Sequence, residues 1–406
     1  MHKCLICQTA YEPFISFGRM PIANGFLTPE EFSREYFFEL KVGACPKCSM
    51  VQLAELVERE KMFHAEYAFF SSTSMRMKEH FRQFSEYVVE RYCQEANPFV
   101  IEIGSNDGIL LQNFAARGIA HLGIEPSANV AQVANQNGIR TICEFFDDDL
   151  ARRIVAQDGQ VDAFMGANVM CHIPTLHGVM SGIEILLKPK GVLVFEDPYL
   201  GDILEKVSYD QIYDEHAFYF SVESISYLVE QHGLEVIDVL PQPVHGGSMR
   251  YVVAHRGARP VAASVANQRE REAAFGLHDR STFERLRAGI EESRDELVAL
   301  LLGLRQAGRR VVGYAATSKS TTVINYCQIT AETVEFISDT TPIKQGKYSP
   351  GMHIPVRPHA EFAARYPDYA LLFGWNHAGE IMSKEQAFRA SGGQWIVYVP
   401  RVEVLR

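Results

Sequence analysis

Short apolar runs alternate with amphipathic stretches over most of the chain. FVIEIG (99–104) reads as a buried strand and DGILLQNFAARG (107–118) as a helix ending at Gly118. HLGIEP (121–126) is a second strand, and NVAQVANQNG a helix closed by Gly138. RTICEFF, VDAFMGAN and GVLVFED continue as strands with helices between them. Such alternation predicts a parallel sheet with helices on both faces. GLEVIDVLPQPVHGGSMRYVVAHRG (233–257) has the pattern of a terminal hairpin, an antiparallel edge on that sheet. Ahead of it, Phe81, Phe84, Val88 and Val89 stand at helical spacing and predict a helix over about 76–95. Residues 258–308 are rich in Arg, Glu and Ala and read as one or two linking helices. From residue 309 the βα pattern restarts with RRVVGYAATSKSTTVINYC, TVEFISD, YALLFGWN and QWIVYVP, a second, smaller doubly wound domain. The expected division is 1–75, 76–257 and 258–406.

Composition narrows the partners. The 406 residues suit two or three domains, and 47% hydrophobic with 22% charged residues is ordinary for a chain that buries a core. A net charge of −11 gives no general attraction for nucleic acid or anionic lipid, although one small anionic ligand can still find a local basic pocket. The start, MHKCLICQTAYEPF, has no apolar core of signal-peptide length, and no run approaches the ~18 residues of a membrane helix. The expected location is the cytoplasm, where cysteines stay reduced and paired CxxC motifs bind metal more often than they form disulfides. Of eight cysteines, Cys4, Cys7, Cys45 and Cys48 form two such pairs, CLIC and CPKC. Two knuckles brought together make the tetrahedral thiolate cage that zinc prefers, and four thiolates leave no open ligand position, so the zinc should be structural. The segment between the knuckles has room for a small substructure, with MPIANGFL as a loop within it.

VIEIGSNDGILL is a strand–turn–helix motif. Glu102 sits near the strand end, Gly104 lets the chain turn closely against a ligand, and Gly108 allows close approach at the helix start. The next strand ends at Glu125, a carboxylate suited to ribose hydroxyls. This layout alone fits NAD or S-adenosylmethionine (SAM). The loop GSNDG lacks GxGxxG spacing, and an acidic Glu102 repels a pyrophosphate but suits a cationic sulfonium and its amino group, so SAM is favoured.

EIGSNDGILL, the CxxC pairs, YDEHAFYFS, HGGSMR and GYAATSKSTT together resemble the sugar C-methyltransferases of antibiotic deoxysugar pathways, over essentially the whole chain. The similarity points towards enzymes that methylate C-3 of dTDP-3-amino-4-keto-deoxysugars. The resemblance implies an α/β protein of three parts: a small zinc-binding domain, a central Rossmann-like SAM methyltransferase domain, and a smaller C-terminal Rossmann-like α/β domain that helps hold the dTDP-sugar. It also implies a monomer. Carried over, the SAM motif falls on Gly104, Asn106 and Gly108, with Glu125 on the ribose. Phe146 and Asp147 are candidates for the adenine, and Asn168 for the methionine moiety.

Methylating carbon first requires a carbon nucleophile, hence a base and a group to stabilise an enolate oxygen. QIYDEHAFYFS (211–221) holds Tyr213, Glu215, His216, Tyr219 and Phe220 within ten residues. His216 could take the C-3 proton; Tyr213 and Glu215 could orient it, or Tyr213 could donate to the oxyanion. The residues alone equally allow core packing with a solvated Glu and His; the resemblance favours function. His172, after the fourth strand, is either near the sugar or a packed side chain. Tyr67, in EYAFFSSTS, could close over the site, whereas Phe69 and Phe70 read as core. His245, Ser248 and Arg250 surround a double glycine that marks either a ligand approach or a β-bulge. Thr317, Ser318, Lys319 and Ser320 lie at a strand-to-helix turn that could cradle the dTDP diphosphate. Lys344, Lys347 and Tyr348 form a second cationic turn, and Asn376 and His377 end a later strand. Rival readings are an N- or O-methyltransferase, a non-catalytic zinc-bearing binding protein, and a NAD-dependent oxidoreductase.

Overall fold

The computed structural model describes residues 1–58, 62 and 75–405. Tyr67, Phe69 and Phe70 lie outside the described residues. The chain opens on the ribbon β1 (His2–Lys3) and β2 (Ala10–Tyr11), then β3 (Pro13–Pro21), β4 (Phe37–Ala44) and β5 (Val51–Leu53), all paired antiparallel. In β4 the alternate residues Phe38, Leu40 and Val42 are buried, as period-2 alternation requires. Helix α1 (Met75–Tyr92) turns Phe81, Phe84 and Val88 inward, onto the faces of the central strands.

The central strands are β6 (Phe99–Ile103), β7 (Ala120–Ile124), β8 (Thr141–Ile142), β9 (Val161–Ala167) and β10 (Leu187–Pro198), followed by β11 (Phe218–Tyr219), β12 (Leu234–Gln242) and β13 (Ser248–His255). One seven-stranded sheet has the order β12-β13-β10-β9-β6-β7-β8. β6 to β10 are parallel, and the β12–β13 hairpin closes the edge antiparallel, as its pattern predicts. Two expected elements are much shorter. Between 107 and 118 only Gln112–Ala115 is α-helical, because Asn106 and Gly108 hold positive φ (49° and 84°), which a right-handed helix excludes. RTICEFF gives only Thr141–Ile142, because Asp147 already turns to cap the next helix, accepting from the Leu150 amide at 2.8 Å.

Two linking helices follow, α2 (Ala263–Phe275) and α3 (Arg280–Gln306). The last domain carries β14 (Val311–Tyr314), helix α4 (Ser318–Tyr326), β15 (Ile337–Asp339), β16 (Val356–Pro358), β17 (Tyr369–Leu372), β18 (Gln394–Val397) and β19 (Glu403–Leu405). Its six strands run β16-β15-β14-β17-β18-β19, parallel except for β19.

The N-terminal unit shares its apolar interior with both partners. Cys4, Ile6, Cys45 and Met50 belong to one cluster with Phe164, Leu176 and Val222 of the central domain. Phe17, Phe38 and Leu40 belong to another with Ile290, Val323 and Ile324 of the last two segments. The short β11 adds itself to the N-terminal sheet, pairing with β5 through Phe218↔Gln52 and Tyr219↔Val51. QIYDEHAFYFS is thereby stretched from the central domain onto the N-terminal one.

Candidate active site and zinc centre

Both CxxC knuckles close alike. Cys4 and Cys45 each accept, through their carbonyls, the amide four residues on, and those residues, Gln8 and Ser49, take positive φ (60° and 58°). Sulfur separations are 3.5 Å for Cys4–Cys48 and 3.4 Å for Cys7–Cys45, and all four sulfurs lie within 4.8 Å of one another. A Zn–S bond of about 2.3 Å implies a tetrahedron edge of about 3.8 Å, so the cluster fits zinc with every position filled.

At the carboxyl ends of β6 and β7, Gly104 (φ 62°) turns the chain, and a Cβ there would lie 2.6 Å from Cγ2 of Val169; at Gly108 it would lie 2.9 Å from Cγ1 of Ile139. Both glycines are therefore demanded by packing as well as by the turn. Glu125 accepts from the amides of Asn106 (3.0 Å) and Ser127 (2.8 Å), which fix its carboxylate with lone pairs to spare. Glu102 is buried, and its Oε2 has no hydrogen-bond partner among the described residues. Burial, then the charges of Glu125 and Asp107, push its pKa well above the usual range. A cationic ammonium or sulfonium would relieve that cost, which is the fit SAM requires. Asn168 (φ 55°) closes β9 with its amide on the Glu196 carbonyl (2.6 Å) and a buried Oδ1 lacking a partner among the described residues. Phe146 packs on Phe164 (ring centroids 5.0 Å apart), and Asp147 spends one oxygen on the helix cap.

The turn 213–216 is closed by the His216 amide on the Tyr213 carbonyl (3.1 Å). His216 Nδ1 lies 2.8 Å from the Gln211 carbonyl, which can only accept, so Nδ1 carries the hydrogen. Nε2 of the neutral ring is then the acceptor, and the Tyr213 hydroxyl, at 2.8 Å, donates to it. Burial holds the His216 pKa well below the ordinary value, with His172 and Lys319 adding to the effect. The His172 ring stacks 5.2 Å away, its pKa lowered by burial to about 4. Cys171, His172 and His216 also bring three metal-ligating atoms within 4.8 Å. Both nitrogens of His216 are already hydrogen-bonded, so the trio offers no free His216 nitrogen.

Sequence reasoning missed the partners of this turn. Asn24, from the MPIANGFL loop, donates through Nδ2 to Glu215 Oε1 at 2.6 Å. The Ala23 amide donates to Asp214 Oδ1 (2.8 Å), and the Ala23 carbonyl accepts from Thr321 Oγ1 (2.8 Å). Thr322 Oγ1 donates to the Ile212 carbonyl (2.6 Å). Burial raises the Glu215 pKa to about 7, while Asn24 and Lys344 pull it down; burial and Glu215 raise Asp214 to about 8. Contacts across 191 residues leave no periodic signal; only the loop character of IANG was readable.

The remaining candidates divide. Buried Lys319 donates to the His245 carbonyl (3.1 Å) and lies 5.3 Å from the Trp375 ring; Lys344 donates to the Ala316 carbonyl (2.8 Å) and lies 4.9 Å from the Phe26 ring. Burial lowers both lysine pKa values, and His245 to about 3. The charge of Lys319 acts on His216 and that of Lys344 on Glu215, so both border the 213–216 turn. Thr317 caps α4 by accepting from the Ser320 amide (3.2 Å), and Ser318 opens the helix. Lys347 and Tyr348 lie on the seam with the N-terminal domain, where the Tyr348 amide donates to the Leu27 carbonyl (2.8 Å). The Asn376 carbonyl accepts from Arg76 (3.3 Å). Arg250 is buried against Glu196, Nε to Oε1 at 2.6 Å, with His80 on the other oxygen at 2.5 Å. Ser248 Oγ donates to the Val244 carbonyl (3.2 Å).

Three family models match consecutive stretches: "Putative zinc binding domain" over residues 4–63, "Methyltransferase domain" over 75–239, and "C-methyltransferase C-terminal domain" over 243–400. The C-methyltransferase NovU of Streptomyces niveus is 33% identical over 406 residues, covering 99% of this chain and 96% of NovU. Among solved structures, the PH0226 protein of Pyrococcus horikoshii is 14% identical, covering 50% of this chain and 100% of its own, with a TM-score of 0.37. The SAM-bound magnesium protoporphyrin IX methyltransferase of Synechocystis is 16% identical, covering 45% of this chain and 83% of its own, with a TM-score of 0.33. No helix of the described residues is long and apolar enough to cross a membrane.

Proposed function

We propose that this chain, which belongs to the SAM-dependent C-methyltransferase family and carries that family's zinc-binding domain, methylates C-3 of a dTDP-linked 4-keto-deoxysugar, with a 3-amino-2,3,6-trideoxy sugar as the preferred substrate. The observation that carries the reading is His216: a buried, neutral imidazole whose Nδ1 hydrogen is fixed on Gln211 and whose basic Nε2 meets the Tyr213 phenol. When bound, SAM supplies an electrophilic methyl group on a sulfonium. On substrate binding the Tyr213 hydroxyl turns from Nε2 to the 4-keto oxygen. His216 Nε2 then removes the C-3 proton, the C–H electrons pass into the enolate, and Tyr213 stabilises its oxygen. Glu215, held by Asn24, offsets the charge of the imidazolium. His172 borders the reacting sugar. Glu102 receives the SAM amino group, Glu125 the ribose, and Asn168 the methionine end, with Phe146 and Asp147 beside the adenine. Lys319 and Lys344, with Ser318, take the diphosphate, and His245, Asn376 and the Lys347–Tyr348 turn border the nucleotide.

The enzyme acts as a monomer, as the family resemblance implies. The test is solvent exchange. The dTDP-3-amino-4-keto-sugar is incubated in deuterated water with enzyme and S-adenosylhomocysteine, and C-3 is followed by NMR. Deuterium should enter C-3 with the wild type and not with His216→Asn. Methyl transfer without wild-type exchange, or a product methylated on N or O, refutes the reading.

A further inference from the structure

The C-terminal domain repeats the arrangement that fixes Glu125, with a turn one residue tighter. Both sheets share an order, β8-β7-β6-β9-β10 and β16-β15-β14-β17-β18, so each has a crevice where its first strand lies between the second and the fourth. After β6, Gly104 takes φ 62° and its amide donates to the Ile124 carbonyl (2.8 Å); after β14, Ala315 takes φ 71° and its amide donates to the Ser338 carbonyl (2.8 Å). Glu125, next after Ile124, accepts from Asn106 in the turn and from Ser127 two residues on. Asp339, next after Ser338, accepts from Ala316 in the turn (2.7 Å) and from Thr341 two residues on (2.7 Å). A left-handed alanine costs roughly 1–2 kcal/mol where glycine costs nothing, so Ala315 marks a turn held by its surroundings.

One difference changes the ligand. By that register the counterpart of Glu102 is Gly313, which carries no side chain. The cation-seeking acid is gone, and two ammonium groups border the turn instead: half-buried Lys344 on the carbonyl of Ala316, whose amide holds Asp339, and buried Lys319 in the first turn of α4. A carboxylate fixed to accept a hydroxyl beside two cations suits a pentose carrying phosphate.

We propose that Asp339 is the pentose-binding carboxylate of a nucleoside diphosphate site in the C-terminal domain, accepting the 3′-hydroxyl while Lys319 and Lys344 take the phosphates. This rests on the sugar-nucleotide reading above and extends it to a residue and an atom. The charge of Lys344 also acts on Glu215, so a sugar leaving the diphosphate there points at the catalytic turn.

The probes are dTDP and its 3′-deoxy analogue, titrated calorimetrically into the zinc-loaded enzyme with S-adenosylhomocysteine present. A hydroxyl donating to a carboxylate should make the analogue about tenfold weaker for the wild type. Asp339→Asn should weaken dTDP by a similar factor, erase the discrimination, and leave S-adenosylhomocysteine affinity unchanged. Equal binding of both probes by the wild type overturns the proposal without any variant, as does an Asp339→Asn enzyme that still discriminates. A wild type that binds neither probe overturns the sugar-nucleotide reading together with this one, whereas the first two failures leave that reading standing.

Discussion

Replacing Asn24 with alanine removes a side chain of the zinc domain that is neither a zinc ligand nor part of the GSNDG turn. Its amide donates to Glu215 at 2.6 Å, and Glu215 is only 4% exposed. A hydrogen bond to a buried charge contributes about 1.5–3 kcal/mol, and it favours the ionised form because a carboxylate is the stronger acceptor. Losing it raises the Glu215 pKa from about 7 by roughly one to two pH units, since each unit is about 1.4 kcal/mol. The acid limb of kcat/KM near 7 would ordinarily be assigned to a histidine. Here burial holds His172 at about 4 and His216 well below its usual value, which leaves the two carboxyls of the turn, Glu215 at about 7 and Asp214 at about 8, of which only Glu215 receives the Asn24 side chain. A raised pKa means that ionisation demands a higher pH, so the limb moves up. Turnover at neutral pH should fall by about 5- to 50-fold, with much of it recovered near pH 9. The assay follows S-adenosylhomocysteine release from pH 5.5 to 9, with calorimetric cofactor affinity and zinc content as controls. A limb that stays in place with kcat/KM near wild type refutes the reasoning, and so does cofactor affinity that falls in step with turnover.

His216→Asn should lower turnover by about 10²- to 10⁴-fold while S-adenosylhomocysteine affinity stays within twofold; near-wild-type turnover would move the base to Tyr213 or His172. Arg250→Ala leaves Glu196 buried with His80 alone and should cost about 3–5 kcal/mol in chemical unfolding of the chain. A raised KM with unchanged stability would instead place Arg250 on the substrate. Stripping the zinc with a chelator, or Cys45→Ser, should lower the unfolding temperature, and zinc added back should restore only the chelated protein; unchanged melting would sink the structural role.

The central sheet was readable because its strands are buried on both faces. FVIEI is a five-residue buried run, and the glycines around it stand where the turn needs positive φ. Lengths failed where local turns overrode periodicity, as at Asn106 and Gly108. The Tyr213–Glu215–His216 turn was visible as a cluster of chemistry-bearing residues, and the structure does bring them together with His172, Lys319 and Lys344. What holds them there was not visible. Asn24 and Asp214 act through contacts some 191 residues away in sequence, and β11 is only two residues long. Asp339 carried a usable signal, an acid at the end of the second strand after a βα turn. It is the same signal that singles out Glu125.

These contacts also change what the zinc does. Four thiolates close its coordination sphere, so it takes no part in bond making. Yet the unit it stabilises has one face in the core of the SAM domain and the other in the core of the C-terminal domain. Its loop ties Ala23 to Asp214 and Thr321, and Asn24 to Glu215, so three domains meet at one turn. A displacement of about 1 Å in a reacting group can cost 10²-fold in rate. A small domain without a core of its own cannot hold a loop to that tolerance unaided; the metal fixes the two knuckles, and β5 carries β11 into register beside them. The zinc is thus coupled to the 213–216 turn, through rigid elements that begin at Cys45 and end at Glu215.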